Sequence, residues 1–246
     1  MSPCSVRSIN RTQEKFGDQV GLFFEHNGIR IFHEDCLRVL PELPAESIDF
    51  VLTDPPYLVG YRGRWDGDRR IIVGDEDPAW LAPAFSEIFR VMKKDTFCVS
   101  FYGWPHADVF VGLWKKVGFR LVSHLAFVKN VWGLGRFTRG QHETAYLLAK
   151  GHPRVPECPI SDTIEWEREQ DAFHPNQKPV SSLYPLIASY APEHGLLLDP
   201  FLGSGSSLRA AKDFGLAAIG IEIEERYCRY AANRMAQEIL FPLSRN

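Results

Sequence analysis

The chain has 246 residues, 45% of them hydrophobic and 24% charged, with a formal net charge of -3. That length suits one domain over 1–246, and the absence of a long apolar run or a basic-then-apolar N-terminus leads us to expect a cytoplasmic protein with no membrane span. The slight acidity means that any nucleic-acid face must be local, and the five scattered cysteines (Cys4, Cys36, Cys98, Cys158, Cys228) form no CxxC pair, so neither a metal site nor a disulfide framework is expected.

Taken in order, Leu22–Phe24 and Ile29–Phe32 flank His26-Asn27-Gly28 and read as a hairpin. A short helical stretch through Leu37, Val39 and Leu40 ends among prolines. Ile48–Thr53 is a run of strand formers that stops at Asp54-Pro55-Pro56, since proline cannot donate to a ladder. From Tyr57 to Glu76 the chain is rich in Gly, Arg and Asp without a clean period, a long loop of the kind that serves as a lid or binding segment. Pro78–Met92 has helical apolar spacing. Thr96–Tyr102 reads as a buried strand, Ala107–Val117 as a helix, and Phe119–Val128 and Thr144–Ala149 as further strands. Between the last two lies a basic, glycine-rich loop, Gly133–Gly140. Residues 151–173 look irregular. Val180–Tyr190 is helical, Leu196–Asp199 a strand, Ser207–Phe214 a helix, Ala217–Ile223 a strand and Glu224–Leu240 a long final helix. Strands alternating with helices predict an α/β fold on a mostly parallel sheet.

Asp54-Pro55-Pro56-Tyr57 carries the sharpest chemistry. The exocyclic amino nitrogen of adenine or cytosine is a poor nucleophile because its lone pair is delocalised into the ring. A carboxylate is too weak a base to deprotonate it, but it can accept one N–H while a second acceptor takes the other. That pair drives the nitrogen toward tetrahedral geometry. Asp54 offers the side-chain acceptor, and Pro55 a carbonyl held by two rigid rings. Tyr57 offers a face on which a flipped base can stack. Taken alone, the tetrad is equally a strand-ending turn.

Leu196–Gly205 joins an apolar strand to a helix through a glycine turn, the geometry that builds nucleotide sites at the ends of parallel strands. It lacks the Gly-Lys-Ser/Thr of a phosphate loop, and Leu208 stands where GxGxxG needs its last glycine. By itself the turn is equally a helix start. Glu222 closes the next strand, where a ribose diol would lie in such folds.

Together these pieces resemble the amino-methyltransferases of DNA, in the permuted order that places the catalytic tetrad before the cofactor motif. Matching stretches also include Glu34-Asp35-Cys36, His142-Glu143 and His174-Pro175-Asn176-Gln177-Lys178-Pro179, although position 176 is usually Thr in that family. The resemblance implies S-adenosyl-L-methionine as cofactor and a Rossmann-like methyltransferase fold, a seven-stranded mostly parallel sheet with one antiparallel strand and helices on both faces. It implies that Asp54, Pro55, Pro56 and Tyr57 hold the target base. Asp199, Pro200, Phe201, Gly203, Ser204 and Gly205 would cradle the methionine half of the cofactor. Glu222 would bind the ribose, Asp35 with Cys36 the adenine, and His174, Asn176 and Lys178 would close over the cofactor, Lys178 facing its carboxylate. The implied reaction is methylation of adenine N6 in double-stranded DNA. Cytosine N4 methylation, an RNA amino-methyltransferase and an inactive DNA-binding subunit stand as alternatives. A homodimer and a cognate restriction endonuclease are expected partners on family analogy only.

Two basic segments are candidates for DNA contact. Arg62, Arg64, Arg69 and Arg70 lie in the active-site loop 58–76, and Arg136 and Arg139 in the second loop. Within 130–173, residues 130–141 and 151–173 are the candidates for reading sequence.

Overall fold

The computed structural model describes residues 20–60, 73–133, 135–167, 177–238 and 243–244. Strands β1 (Leu22–His26) and β2 (Ile29–His33) form the expected hairpin. Asn27 and Gly28 turn it with φ of 48° and 80°, the left-handed pair that matches strand twist. After the short helix α1 (Cys36–Val39), β3 (Ile48–Thr53) enters the sheet. Helix α2 (Leu81–Val91), strand β4 (Met92–Phe101) and helix α3 (Ala107–Val117) follow. Then come β5 (Arg120–Lys129), β6 (His142–Lys150) and β7 (Thr163–Trp166). The chain continues through α4 (Val180–Tyr190), β8 (Leu196–Asp199), α5 (Ser206–Asp213), β9 (Ala217–Glu222) and α6 (Glu225–Ala236).

Among the described residues the strands form one sheet in the order β1-β2-β9-β8-β3-β4-β6-β5-β7. The expected seven-stranded unit lies within it, β2 to β5 in that order, with β6 antiparallel to both of its neighbours. Two strands extend it to nine: β1 pairs antiparallel on β2, and β7 pairs parallel on β5. The sheet is buried on both faces. Alternate residues of β3 and β4 send Phe50, Leu52 and Val99 toward α4, α5 and α6, and Val51 and Cys98 toward α1, α2 and α3.

Several boundaries differ from expectation: β4, for one, begins at Met92, four residues before Thr96. Residues 151–173 are not wholly irregular, because Thr163–Trp166 is β7. Its four residues alternate exposed and buried, with Ile164 and Trp166 inward, a signal too short to stand out before a charged run. The last helix ends at Ala236 rather than Leu240. Lys212 Nζ captures the carbonyls of Met235 and Gln237, and Gln237 turns to extended backbone.

Candidate active site

Both motif-bearing turns open on the same edge of the sheet. Strands β3, β8 and β9 are parallel neighbours, so Asp54, the 200–205 turn and Glu222 all emerge at their C-terminal ends. A cavity of about 500 Å³ lies there, lined among others by Asp35, Asp54, Tyr57, Lys178, Gly203 and Glu222. That size is ordinary for a small-molecule site. Thr53, the residue before Asp54, donates its hydroxyl to Asp199 Oδ1 at 3.0 Å. This bond ties the end of the tetrad strand to the end of the glycine-turn strand.

In the turn, Gly203 adopts φ 53° and Gly205 φ 83°. The Gly203 N–H donates to Glu222 Oε2 at 2.7 Å, and the Glu224 N–H to Oε1 at 2.8 Å. Burial pushes the Glu222 carboxyl above its ordinary value, against those bonds. Asp199 accepts from Thr53, from the Phe201 N–H at 3.1 Å and from Ser207. Both of its oxygens therefore hold the protein's own turn, and burial raises its carboxyl to about 7. Asp199 lines the cavity, but its bonding is to the scaffold. Pro200, Phe201 and Ser204 also line it, and Trp80 braces Phe201 edge-on at 5.1 Å. Gly205 does not line the cavity. A Cβ there would sit 2.9 Å from that of Ala231, so this glycine allows the close approach of α6. Gly203 is the opposite case: it lines the cavity, and a Cβ there would meet nothing within 4 Å.

Elsewhere on the cavity wall, Asp35 caps α1 by accepting from the Leu37 N–H at 2.9 Å. Cys36 beside it is buried, and burial followed by the Asp35 charge pushes its thiol up to about 12, leaving it a neutral wall. An acidic rim of Asp35 and Glu222 with an open glycine backbone suits a nucleoside bearing hydroxyl, amine and ammonium groups. These residues fit S-adenosyl-L-methionine.

At the tetrad, the Tyr57 hydroxyl donates to Asp54 Oδ1 at 2.6 Å. Burial, then the carboxylates of Asp54 and Glu143, holds that phenol well above its usual value, so Tyr57 stays a neutral donor. Lys178 lines the cavity. Its buried ammonium pairs with Asp54 Oδ2 and lies 3.1 Å from Glu143 Oε2. Burial alone would depress the lysine, but the two carboxylates outweigh it and raise it. Lys129 reaches Glu143 Oε1 at 2.6 Å and completes a balanced quartet of two cations and two anions. Aromatic faces enclose Lys178, with ring centres of Phe101 at 4.9 Å and of Tyr57 and Trp166 at 5.7 Å.

The sequence pointed to His142-Glu143 as a matching stretch without assigning it work. Glu143 proves to be the hub of this quartet, a role visible only once β6 inserts between β4 and β5. Asp75, at the far end of the arginine loop, likewise had no assigned role. It is buried and accepts from the Val59 N–H at 3.2 Å, while its carbonyl accepts from Gly60 at 3.3 Å. The two ends of the arginine loop are thus pinned together on the cavity wall. Arg62, Arg64, Arg69 and Arg70 themselves, with His174 and Asn176, lie outside the described residues. Arg136 and Arg139 are exposed between β5 and β6. Among the described residues no cluster could hold a metal ion, and no helix is long and apolar enough to cross a membrane.

A mostly parallel α/β sheet with a nucleoside-sized cavity at its C-terminal edge, and Asp-Pro-Pro-Tyr directly after the adjoining strand, is the arrangement of an S-adenosylmethionine-dependent methyltransferase. Residues 48–233 match the DNA methylase family N6_N4_Mtase, and the chain belongs to that family. The YubD protein of Escherichia coli (strain K12) is 45% identical over 207 residues, covering 84% of this chain and 90% of YubD. DNA adenine methyltransferase YhdJ of the same organism is 25% identical over 252 residues, covering 86% and 84%. Two solved structures share the fold. The M1.HpyAVI–SAM complex has a TM-score of 0.68 at 20% identity, covering 85% of this chain and 100% of that one. The PvuII cytosine-N4-specific DNA methyltransferase has a TM-score of 0.73 at 16% identity, covering 91% of each.

Proposed function

We propose that this DNA methyltransferase acts on the exocyclic N6 of an adenine flipped out of double-stranded DNA. The observation that carries the reading is the single cavity shared by Asp54 and the Gly203 turn, locked together by the Thr53–Asp199 bond. When bound, S-adenosylmethionine supplies an electrophilic sulfonium methyl group. Gly203 and Phe201 line the path of its methionine half, Glu222 takes the ribose hydroxyls and Asp35 the adenine amine. Asp54 and the Pro55 carbonyl accept the two N–H bonds of the target amine, which localises its lone pair. Tyr57 stacks on the base while its hydroxyl fixes the Asp54 carboxylate. Positioning and electrostatics supply the acceleration, with no covalent intermediate on the protein.

The opening Asp of the tetrad and the adenine activity in the name of YhdJ favour adenine. Cytosine N4 is the second reading, because PvuII methyltransferase works on that atom with the same fold. The test incubates the protein with tritiated S-adenosylmethionine and unmethylated plasmid DNA, then separates the nucleosides. N6-methyladenine is expected, N4-methylcytosine would establish the second reading, and no labelled nucleoside would refute both. Asp54→Ala should reduce transfer at least about 100-fold while calorimetry finds cofactor binding within a few-fold of wild type; equal loss of both would displace Asp54 from its role.

A further inference from the structure

Phe137 is 93% exposed and Trp132, in the same loop, 67%. Large aromatic side chains grouped in water mark a surface that meets a partner. The loop they stand on is built rather than slack. It extends the β5–β6 ladder: the Lys129 N–H donates to the Gln141 carbonyl at 2.7 Å, and the Gly133 N–H to the Gly140 carbonyl at 2.7 Å. Gly135 lets the backbone double back so closely that a Cβ would lie 1.7 Å from the Thr138 carbonyl oxygen. The result is a closed loop at the end of the β5–β6 pair whose cations lie over its own rings, Arg136 5.7 Å from the centre of Phe137 and Arg139 5.6 Å from that of Trp132.

Topology fixes where the tip stands. Strand β5 runs parallel to β3 and β4, since β4 and β5 are both antiparallel to β6. The β5–β6 tip therefore rises from the edge on which the cavity opens. Its foot touches the catalytic tetrad through one chain of contacts: Lys129 to Glu143 at 2.6 Å, Glu143 to Lys178 at 3.1 Å, and Lys178 to Asp54. The cofactor turn occupies the other half of this edge, at β8 and β9. Trp104, 81% exposed just after β4, stands on the same edge of the sheet. The half of the edge that carries these exposed rings and arginines is the half left for DNA.

We infer that this tip enters the duplex at the target, the Phe137 ring taking the place in the base stack that the flipped nucleotide leaves, with Arg136 and Arg139 on flanking phosphates. The inference rests on the base-flipping reading above. A loop at the end of an antiparallel strand pair can reach into a groove, and an apolar wedge offsets the unstacking that flipping demands. Because Phe137 packs on little but solvent, its replacement leaves the fold alone.

The test uses the full chain and oligonucleotide duplexes bearing the site that the wild-type protein methylates on plasmid DNA. In one duplex the target base is paired; in the other it faces an abasic position and needs no wedge. Phe137→Ala should slow methylation of the paired duplex by on the order of tenfold or more and that of the abasic-opposed duplex by less than about threefold. Phe137→Trp should restore the paired duplex. A Phe137→Ala protein as fast as wild type on paired DNA overturns the inference, and so does one slowed equally on both. Wild-type protein that methylates neither duplex nor plasmid would instead count against the DNA-base reading itself.

Discussion

Replacing Lys178 with Met keeps the length of the stem and removes the charge that Asp54 and Glu143 share. The quartet of Lys129, Glu143, Lys178 and Asp54 then carries one uncompensated negative charge. Breaking a buried ion pair from one side costs about 3–5 kcal/mol. Here the lysine side chain is 8% exposed but those of Asp54 and Glu143 are 31% and 22% exposed, so water recovers part of the loss. About 2–3 kcal/mol near neutral pH is expected, or roughly 4–12 °C in Tm for a chain of this size. The deficit should depend on pH. Burial would raise the Glu143 carboxyl, but Lys178 and then Lys129 outweigh it and hold the group below its ordinary value. A depressed carboxyl contributes stability above its unfolded value, and that contribution is lost as pH falls through the folded value. Without Lys178 burial is less opposed, the carboxyl rises, and acidification relieves the variant earlier. The gap between Lys178→Met and wild type should therefore narrow from pH about 8 to pH about 5 in urea denaturation. Adding Glu143→Gln should recover part of the loss, a coupling on the order of 1–2 kcal/mol. Strictly additive losses with a gap independent of pH would refute the quartet. Cofactor affinity in Lys178→Met should fall only a few-fold; a loss of a hundredfold would return Lys178 to the cofactor carboxylate.

The two glycines of the turn should separate by assay. Gly205→Ala forces a side chain against Ala231 at φ 83° and should cost about 2–4 kcal/mol of stability through α6. Gly203→Ala, at φ 53° with nothing within 4 Å, should cost about 1 kcal/mol of stability but weaken S-adenosylmethionine binding by more than tenfold; calorimetry and urea midpoints distinguish the two, and identical profiles would refute the assignment. The Asp199 carboxyl, raised by burial from 3.8 to about 7, contributes stability that is fully present below the lower value and is lost as pH climbs through the higher one. Asp199→Asn should therefore lose less stability than wild type between pH about 4 and pH about 8, and parallel curves would show that Asp199 is ionised throughout.

Elements with one strong period were legible from the sequence. Ile48–Thr53 and Leu196–Asp199 were bounded to the residue because an apolar run meets a proline or glycine turn at its end. The convergence of Asp54 with Gly203 was legible too, through the family's motif order. Trp166 was not, since its strand is four residues long and becomes a strand only by pairing with β5. The partner of Lys178 was not either. A lysine in a motif shows that a cation is wanted, but which anion it meets depends on Glu143 arriving from a strand that runs against its neighbours. The crowding beside Gly205 was not legible either, because it comes from a helix about 25 residues further on.

The chain writes β2 and β3 early and the two strands that belong between them, β8 and β9, last. A polypeptide still emerging from the ribosome therefore has a two-strand gap at the middle of its sheet, with Ile31 and Phe50 lacking neighbours on that side. The cavity that Asp54 shares with Gly203 is completed only when residues 196–222 slot in. Its assembly waits on contacts of very long loop closure.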